Sequence, residues 1–215
     1  MKGHSIQKGL MAGMIVAGLA LAGCAGKGEM RYLEVKAPPT AGKPAEPGSA
    51  KIVVIPLEDR RAEKGRVGVR THLWGGETQF NVAGERPGDI VAKALVDRLK
   101  SRGWQDRAWN VSLGTAGTPA DADIVISGSV QEFSAHAKSR VFSTVINATS
   151  KFVFQAKNLG DGSTTTRTVE GAHKDYAFWF GEEDVEEPLT ETMMDGIERF
   201  ISDTKIEQKA LRPVQ

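Results

Sequence analysis

The chain has 215 residues, with 28 basic and 27 acidic side chains and a formal charge of +1. A balance so close to neutral gives no electrostatic basis for holding nucleic acid. Its single cysteine leaves no pair for an intramolecular disulfide, so stability has to come from a packed core.

The first element is an apolar run, Gly9 to Gly23 (GLMAGMIVAGLALAG), which carries no charge and follows Lys2 and Lys8. A basic start, an apolar middle and small residues at the end form the pattern of a secretory signal. As a helix the run would reach roughly 22 Å, short of a hydrocarbon core of about 30 Å, which weighs against a permanent span. The cysteine, Cys24, stands directly after it. Leu21, Ala22, Gly23 and Cys24 together resemble the lipobox of bacterial lipoproteins, the other reading being an ordinary signal with an incidental cysteine. The resemblance implies that residues 1–23 are a signal peptide cut before Cys24, and that fatty chains are joined to the Cys24 sulfur and to the new amine. Two chains already suffice for stable anchoring. By the same resemblance Ala25, in a place where aspartate favours inner-membrane retention, points to the periplasmic face of the outer membrane; inner-membrane sorting is the alternative. Without residues 1–23, which hold two lysines and no acid, the balance becomes 26 basic against 27 acidic.

Residues 24–50 are rich in Gly, Ala and Pro, including Pro38, Pro39, Pro44 and Pro47. The composition reads as a flexible tether of up to about 85 Å, although Met30 to Val35 (MRYLEV) could add a short strand to a sheet edge. The domain is expected over 51–205, with 206–215 as a C-terminal tail. It opens on Lys51 to Leu57 (KIVVIPL), a β-branched run suited to a buried strand. Glu58 to Gly84 has no sustained period and reads as a long loop or irregular hairpin.

Pro87 to Gly103 predicts a helix with Ile90, Val91, Ala94, Leu95 and Leu99 on one face, Asp89 at its start and Arg98, Lys100 and Arg102 at its end. Asp123 to Phe133 alternates as a strand until its phase shifts at Phe133, which predicts a bulge or bend. A second strand runs from Phe142 to Ala156, with Phe142, Ile146, Ala148, Phe152, Phe154 and Ala156 on the core face. The sequence NLGDG then supplies a hairpin turn before a Thr-rich strand from Ser163 to about Phe180. Glu182 to Lys205 closes the domain as a helix with Leu189, Met193, Met194, Ile197, Phe200 and Ile201 on one stripe. These elements predict an α+β fold: a single two-layer domain with an antiparallel-rich sheet of about four to five strands and two helices on one face.

Several short motifs carry a resemblance over most of residues 50–205. They are Ile52-Val53-Val54-Ile55, Asp59-Arg60-Arg61 with Val67-Gly68, Leu95, Leu99, Arg102, Gly103 and Trp104, and Asp123-Ile124-Val125-Ile126-Ser127-Gly128. With the lipobox they resemble the YajG-like family of small bacterial lipoproteins. The chain also looks somewhat like auxiliary lipoproteins of envelope lipid-transport systems. Neither resemblance supplies a catalytic residue, and the Gly-rich segment 62–86 departs from both.

Little in the chain points to chemistry. His72, His136 and His173 lack the spacing of zinc ligands, and neither a G-x-S-x-G elbow nor a phosphate-binding loop is present. No catalytic residue, metal or cofactor is expected, and the protein is not read as an enzyme. Asp59-Arg60-Arg61 has two readings. Arg60 and Arg61 could clamp a carboxylate or phosphate, or Asp59 could order the turn with both arginines solvated. Tyr176-Ala-Phe-Trp-Phe180 also has two. Tyr176, Phe178 and Phe180 could join the core with Trp179 over an edge, or Trp179 and Trp74 could form an apolar contact patch. The expected function is a non-enzymatic interaction module held to the membrane by lipid on Cys24, with an envelope protein or lipid ligand as partner. The alternative is an accessory to envelope lipid or solute transport. Self-association through an exposed sheet face or edge is open.

Overall fold

A computed structural model describes residues 28–37, 41–104, 107, 109–115 and 121–214. The lipobox-like residues Leu21, Ala22, Gly23 and Cys24 lie outside the described residues.

Three long strands form the spine of the sheet. Strands β7 (Ile124–Ser139), β8 (Thr144–Asn158) and β9 (Thr164–Ala177) run as an antiparallel meander. Alternation along β8 buries Ile146, Ala148, Phe152, Phe154 and Ala156, as expected for a sheet with one wetter side. A bulge between Val130 and Glu132 shifts the register of β7. It carries Phe133 onto the core side with Ile124, Ile126 and Val130, which is the phase change visible in the sequence.

On its other side β7 takes three parallel partners in succession. These are β2 (Lys51–Val54) at Ile124–Ile126, β3 (Glu58–Asp59) at Ser129 and Val130, and β4 (Gly68–Thr71) at Ala135–Lys138. Outside β2 lies β6 (Asn110–Leu113), parallel to it. Outside β4 lies antiparallel β5 (Glu77–Val82), and β1 (Glu29–Leu33) adds to β5 in parallel as the edge. The result is a nine-stranded mixed sheet, accompanied by a two-stranded sheet of β10 (Thr204–Glu207) and β11 (Ala210–Pro213).

This corrects the expectation of four to five mainly antiparallel strands. The strands not assigned from sequence, β3 to β6, are two to six residues long, β4 and β5 pairing as the hairpin that was one reading of Glu58 to Gly84. No run among them is long enough to show a period, and each depends on a neighbouring strand for its pairing: β3 and β4 on β7, β5 on β4 and β6 on β2. Residues 29–33, placed within the tether, form the short edge strand that Met30 to Val35 was expected to allow, with Leu33 and Val35 buried. Residues 206–213 differ from their reading: taken as a tail, they form most of the small hairpin.

Helices α1 (Pro87–Ser101) and α2 (Glu183–Ser202) pack on the face carrying Ile124, Val130, Phe133, Phe152 and Phe154, in one continuous core. Helix α1 begins with Pro87 in its first turn, where the Arg86 amide and Nε both donate to the Asp89 carboxylate. It stops before Gly103, whose φ of +65° suits only glycine without strain. Helix α2 brings Phe200 onto Phe154 with ring centroids 4.5 Å apart and onto the edge of Trp104 at 6.0 Å. Arg98 of α1 forms an ion pair with Glu198 of α2, joining the helices side by side. The C-terminal hairpin closes the far end of this layer. Asn158, 1% exposed, donates to the Leu211 carbonyl at 3.1 Å and accepts from the Leu211 amide at 2.8 Å.

Candidate functional site

Strand direction decides which loops meet. Thr71 at the end of β4 lies opposite Lys138, and Glu77 at the start of β5 lies opposite Thr71. Thr144 at the start of β8 pairs with Ser139 at the end of β7 and with Ala177 at the end of β9. The 72–76 turn, the 140–143 turn and the segment after Ala177 therefore all emerge at one end of the sheet. Across β5-β4-β7-β8-β9 this end is about 20 Å wide, from a strand spacing near 4.8 Å.

Each of these segments presents two consecutive bulky apolar residues to solvent: Leu73 and Trp74, Val141 and Phe142, and Phe178 and Trp179. Trp74, Phe142 and Trp179 are 93%, 83% and 94% exposed. The local reasons differ. In HLWGG the His72 amide bonds to the Gly76 carbonyl and the Gly75 amide to the His72 carbonyl, both at 3.1 Å. This turn is tight, made by glycines at φ +85° and +91°, and it leaves Leu73 and Trp74 no neighbouring surface to cover. In the second turn the Arg140 amide bonds to the Ser143 carbonyl at 2.7 Å, so Val141 and Phe142 stand at the apex. In the third segment Phe180 is the residue that turns inward. It sits 6.1 Å from the Phe80 ring and under the Arg70 guanidinium at 4.0 Å. The Gly181 amide then donates to Asp184 at 2.7 Å as α2 begins. Phe178 and Trp179 project before that anchor.

Two expectations are corrected here. Of Tyr176, Phe178 and Phe180, read as core residues, Tyr176 and Phe178 are exposed: Tyr176 is still within β9 but on the face opposite to buried Ala177, and Phe178 lies beyond the end of that strand. Phe142, read as the first core position of a strand, belongs to the turn.

No carboxylate occurs in the segments HLWGG, RVFS and FWFG. His72 is held below its usual pKa by burial first, then by the charges of Arg70 and Arg31, and its Nε2 lies 2.8 Å from the Thr78 hydroxyl. It therefore adds no positive charge at neutral pH.

Arg60 and Arg61 lie elsewhere, beside the β7 bulge. Arg60 is exposed and pairs with Glu58 at 2.6 Å. Arg61 is buried and gripped on all sides. Its Nε and Nη2 donate to the two carboxylate oxygens of Asp59, each at 3.0 Å, and its Nη1 donates to the carbonyls of Arg66 at 2.9 Å and Phe133 at 3.3 Å. Arg61 thus fastens the 60–67 loop to β7 between the places where β3 and β4 pair with it. The adjoining cleft, about 360 Å³, also touches Phe133 and His136. Another cleft of about 390 Å³ lies between α1 and the exit of β1, with Leu33, Val35 and Ile90 beside Glu34, Lys36, Glu85 and Lys93. His173 pairs with Glu191 at 2.8 Å. Among the described residues there is no group of three or more His, Cys, Asp or Glu side chains placed to hold a metal ion, and no helix long and apolar enough to cross a membrane.

Trp74 and Trp179 were legible from sequence; Leu73, Val141, Phe142 and Phe178 were missed. The signal that could have found them is the pairing itself. Two adjacent bulky apolar side chains point to opposite faces of a strand, so next to turn residues one of them has no core to enter.

No protein-family model matches the sequence, and no curated relative does. Solved structures with a similar chain course include a Xanthomonas campestris protein assigned to the family DUF330. It is 10% identical, covers 80% of this chain and 91% of its own, and has a TM-score of 0.49. A neuraminyllactose-binding hemagglutinin homolog from Helicobacter pylori is 9% identical over 83% and 94% of the two chains, at a TM-score of 0.47. A lipoprotein from Neisseria meningitidis is 11% identical over 71% and 98%, at 0.35.

Proposed function

We propose that this protein is a lipid-anchored lipoprotein at the periplasmic face of the outer membrane, YajG-like in kind, acting as a non-enzymatic interaction module. The observation that carries this reading is the apolar end of the sheet. Three separate turns place six bulky apolar side chains in solvent there, while the same chain buries Phe80, Phe133, Phe152, Phe154 and Phe200 completely. Large exposed apolar patches of this kind mark contact surfaces. The anchor is Cys24, by the resemblance of Leu21, Ala22 and Gly23 before it to a lipobox. An accessory role in lipid transport would use this end for docking and not a ligand slot between the layers. That space is filled by Leu95, Leu99, Phe152, Phe154 and Phe200.

The test is fractionation of cells producing the wild type or Cys24→Ser. The wild type is expected in the membrane pellet after alkaline washing and the variant in the soluble fraction. Equal retention of both would remove the anchor from the reading.

A further inference from the structure

We propose that the apolar end of the sheet rests in the headgroup layer of the bilayer that holds the Cys24 lipid, so that the protein touches its own membrane at two places. The inference builds on the anchor proposed above and adds the partner of the exposed surface.

The place where the described chain begins decides the matter. Strand β1 pairs with β5 in parallel, so it starts where β5 starts. The Gly28 amide donates to the Glu77 carbonyl at 2.8 Å, and Glu77 directly follows the HLWGG turn. Gly28 is thus at the apolar end. Four residue steps separate it from Cys24, and four steps of extended chain reach at most about 14 Å. The opposite end of the sheet is about 50 Å away along the 16 residues of β7. An anchor on so short a lead cannot be attached to a bilayer facing that end. It brings the Trp74, Phe142 and Trp179 loops to the lipid surface.

The chemistry of this end suits that surface. Tryptophan and phenylalanine on loop tips favour the boundary between headgroups and acyl chains. The three turns contain no carboxylate, and Lys138 and Arg140 flank the Val141-Phe142 tip as exposed cations. Of the acids that follow, Glu182 is engaged by Arg31 at 3.1 Å and Asp184 by the Gly181 amide, while Glu183 is exposed to solvent. Cations beside apolar tips match a leaflet containing anionic headgroups.

The tryptophans supply the test. Of the four, Trp74 and Trp179 are at the apolar end. Trp104 is buried and Trp109 half-buried beside β6, whose partner β2 pairs with the start of β7 at the opposite end. The full acylated protein is reconstituted into vesicles of phosphatidylethanolamine and phosphatidylglycerol whose acyl chains carry bromine near the headgroup. Tryptophan emission is expected to fall by about half relative to unbrominated vesicles, since two of the four tryptophans are exposed to the lipid. A Trp74→Ser/Trp179→Ser variant should float with the vesicles but lose the quenching. If the wild type floats with no quenching, the apolar end does not meet the bilayer and this inference is overturned while the anchor stands. If it fails to float, the anchor and this inference fall together. Exclusion of Trp74 and Trp179 from both bromolipid and aqueous iodide would show that a second copy of the chain covers this end, which also overturns the inference.

Discussion

Arg61 is an inward-facing cation held by four acceptors, and its fate under substitution follows from what is left behind. At 5% exposure it has little water to return to. Removing it strands the Phe133 carbonyl and the Asp59 carboxylate, so Arg61→Ala is expected to cost about 3 kcal/mol in urea unfolding. Arg61→Lys should recover only part, because an ammonium cannot reproduce the paired bonds to Asp59. The same pair sets a pH dependence. Burial alone would raise the Asp59 carboxyl, but its hydrogen bonds from the Arg61 side chain and amide hold it below its ordinary value of 3.8. The folded chain therefore binds fewer protons here than the unfolded chain. This contribution is complete above that ordinary value and is lost as pH falls through the folded one. Asp59→Asn should flatten the acid limb of a stability-against-pH curve, and an unchanged limb would assign acid sensitivity to other carboxylates.

At the level of elements, the two layers are joined by aromatic contacts and by a small hairpin at the chain end. Phe200 touches both Phe154 and Trp104, and Phe200→Ala is expected to destabilise by about 3–5 kcal/mol through the cavity it leaves. The C-terminal hairpin has a different role, which is to satisfy polar groups. Leu211 exchanges two hydrogen bonds with buried Asn158 and accepts a third from Thr165 at 3.1 Å, while Thr204 accepts from the Trp104 indole at 3.1 Å. A chain ending at Asp203 would bury these donors and acceptors without partners. Its loss should be at least about 3 kcal/mol by denaturant midpoint. Should that truncated chain unfold at the wild-type midpoint, the hairpin is an ornament and not part of the core.

Across the whole molecule, stability and contact are separated in space. The core holds the layers together and the Arg61 clamp holds the 60–67 loop to β7, whereas the paired apolar tips face solvent. Trp74→Ser and Trp179→Ser should each leave the free energy of urea unfolding within about 0.5 kcal/mol of wild type, even where they abolish contact with lipid. A large loss of stability would mean that these side chains pack on the body of the protein.

Local patterns were enough for several of these features. The α1 face ending at Gly103, the β7 phase shift at Phe133, the β8 alternation and the NLGDG turn each depend on neighbours within a few residues, so the order of side chains alone specifies them. The short strands β3, β4 and β6 were not legible in this way. A strand of two to four residues has too few positions to show a period, and it forms only where a neighbouring strand offers it unpaired backbone. The same holds for the apolar end. Trp74, Phe142 and Trp179 are far apart along the chain, and sequence gives their chemistry but not their proximity. Parallel pairing of β4 with β7 and of β1 with β5 placed those tips and Gly28 at one edge, because strand direction is a property of hydrogen-bonded partners and not of any single segment.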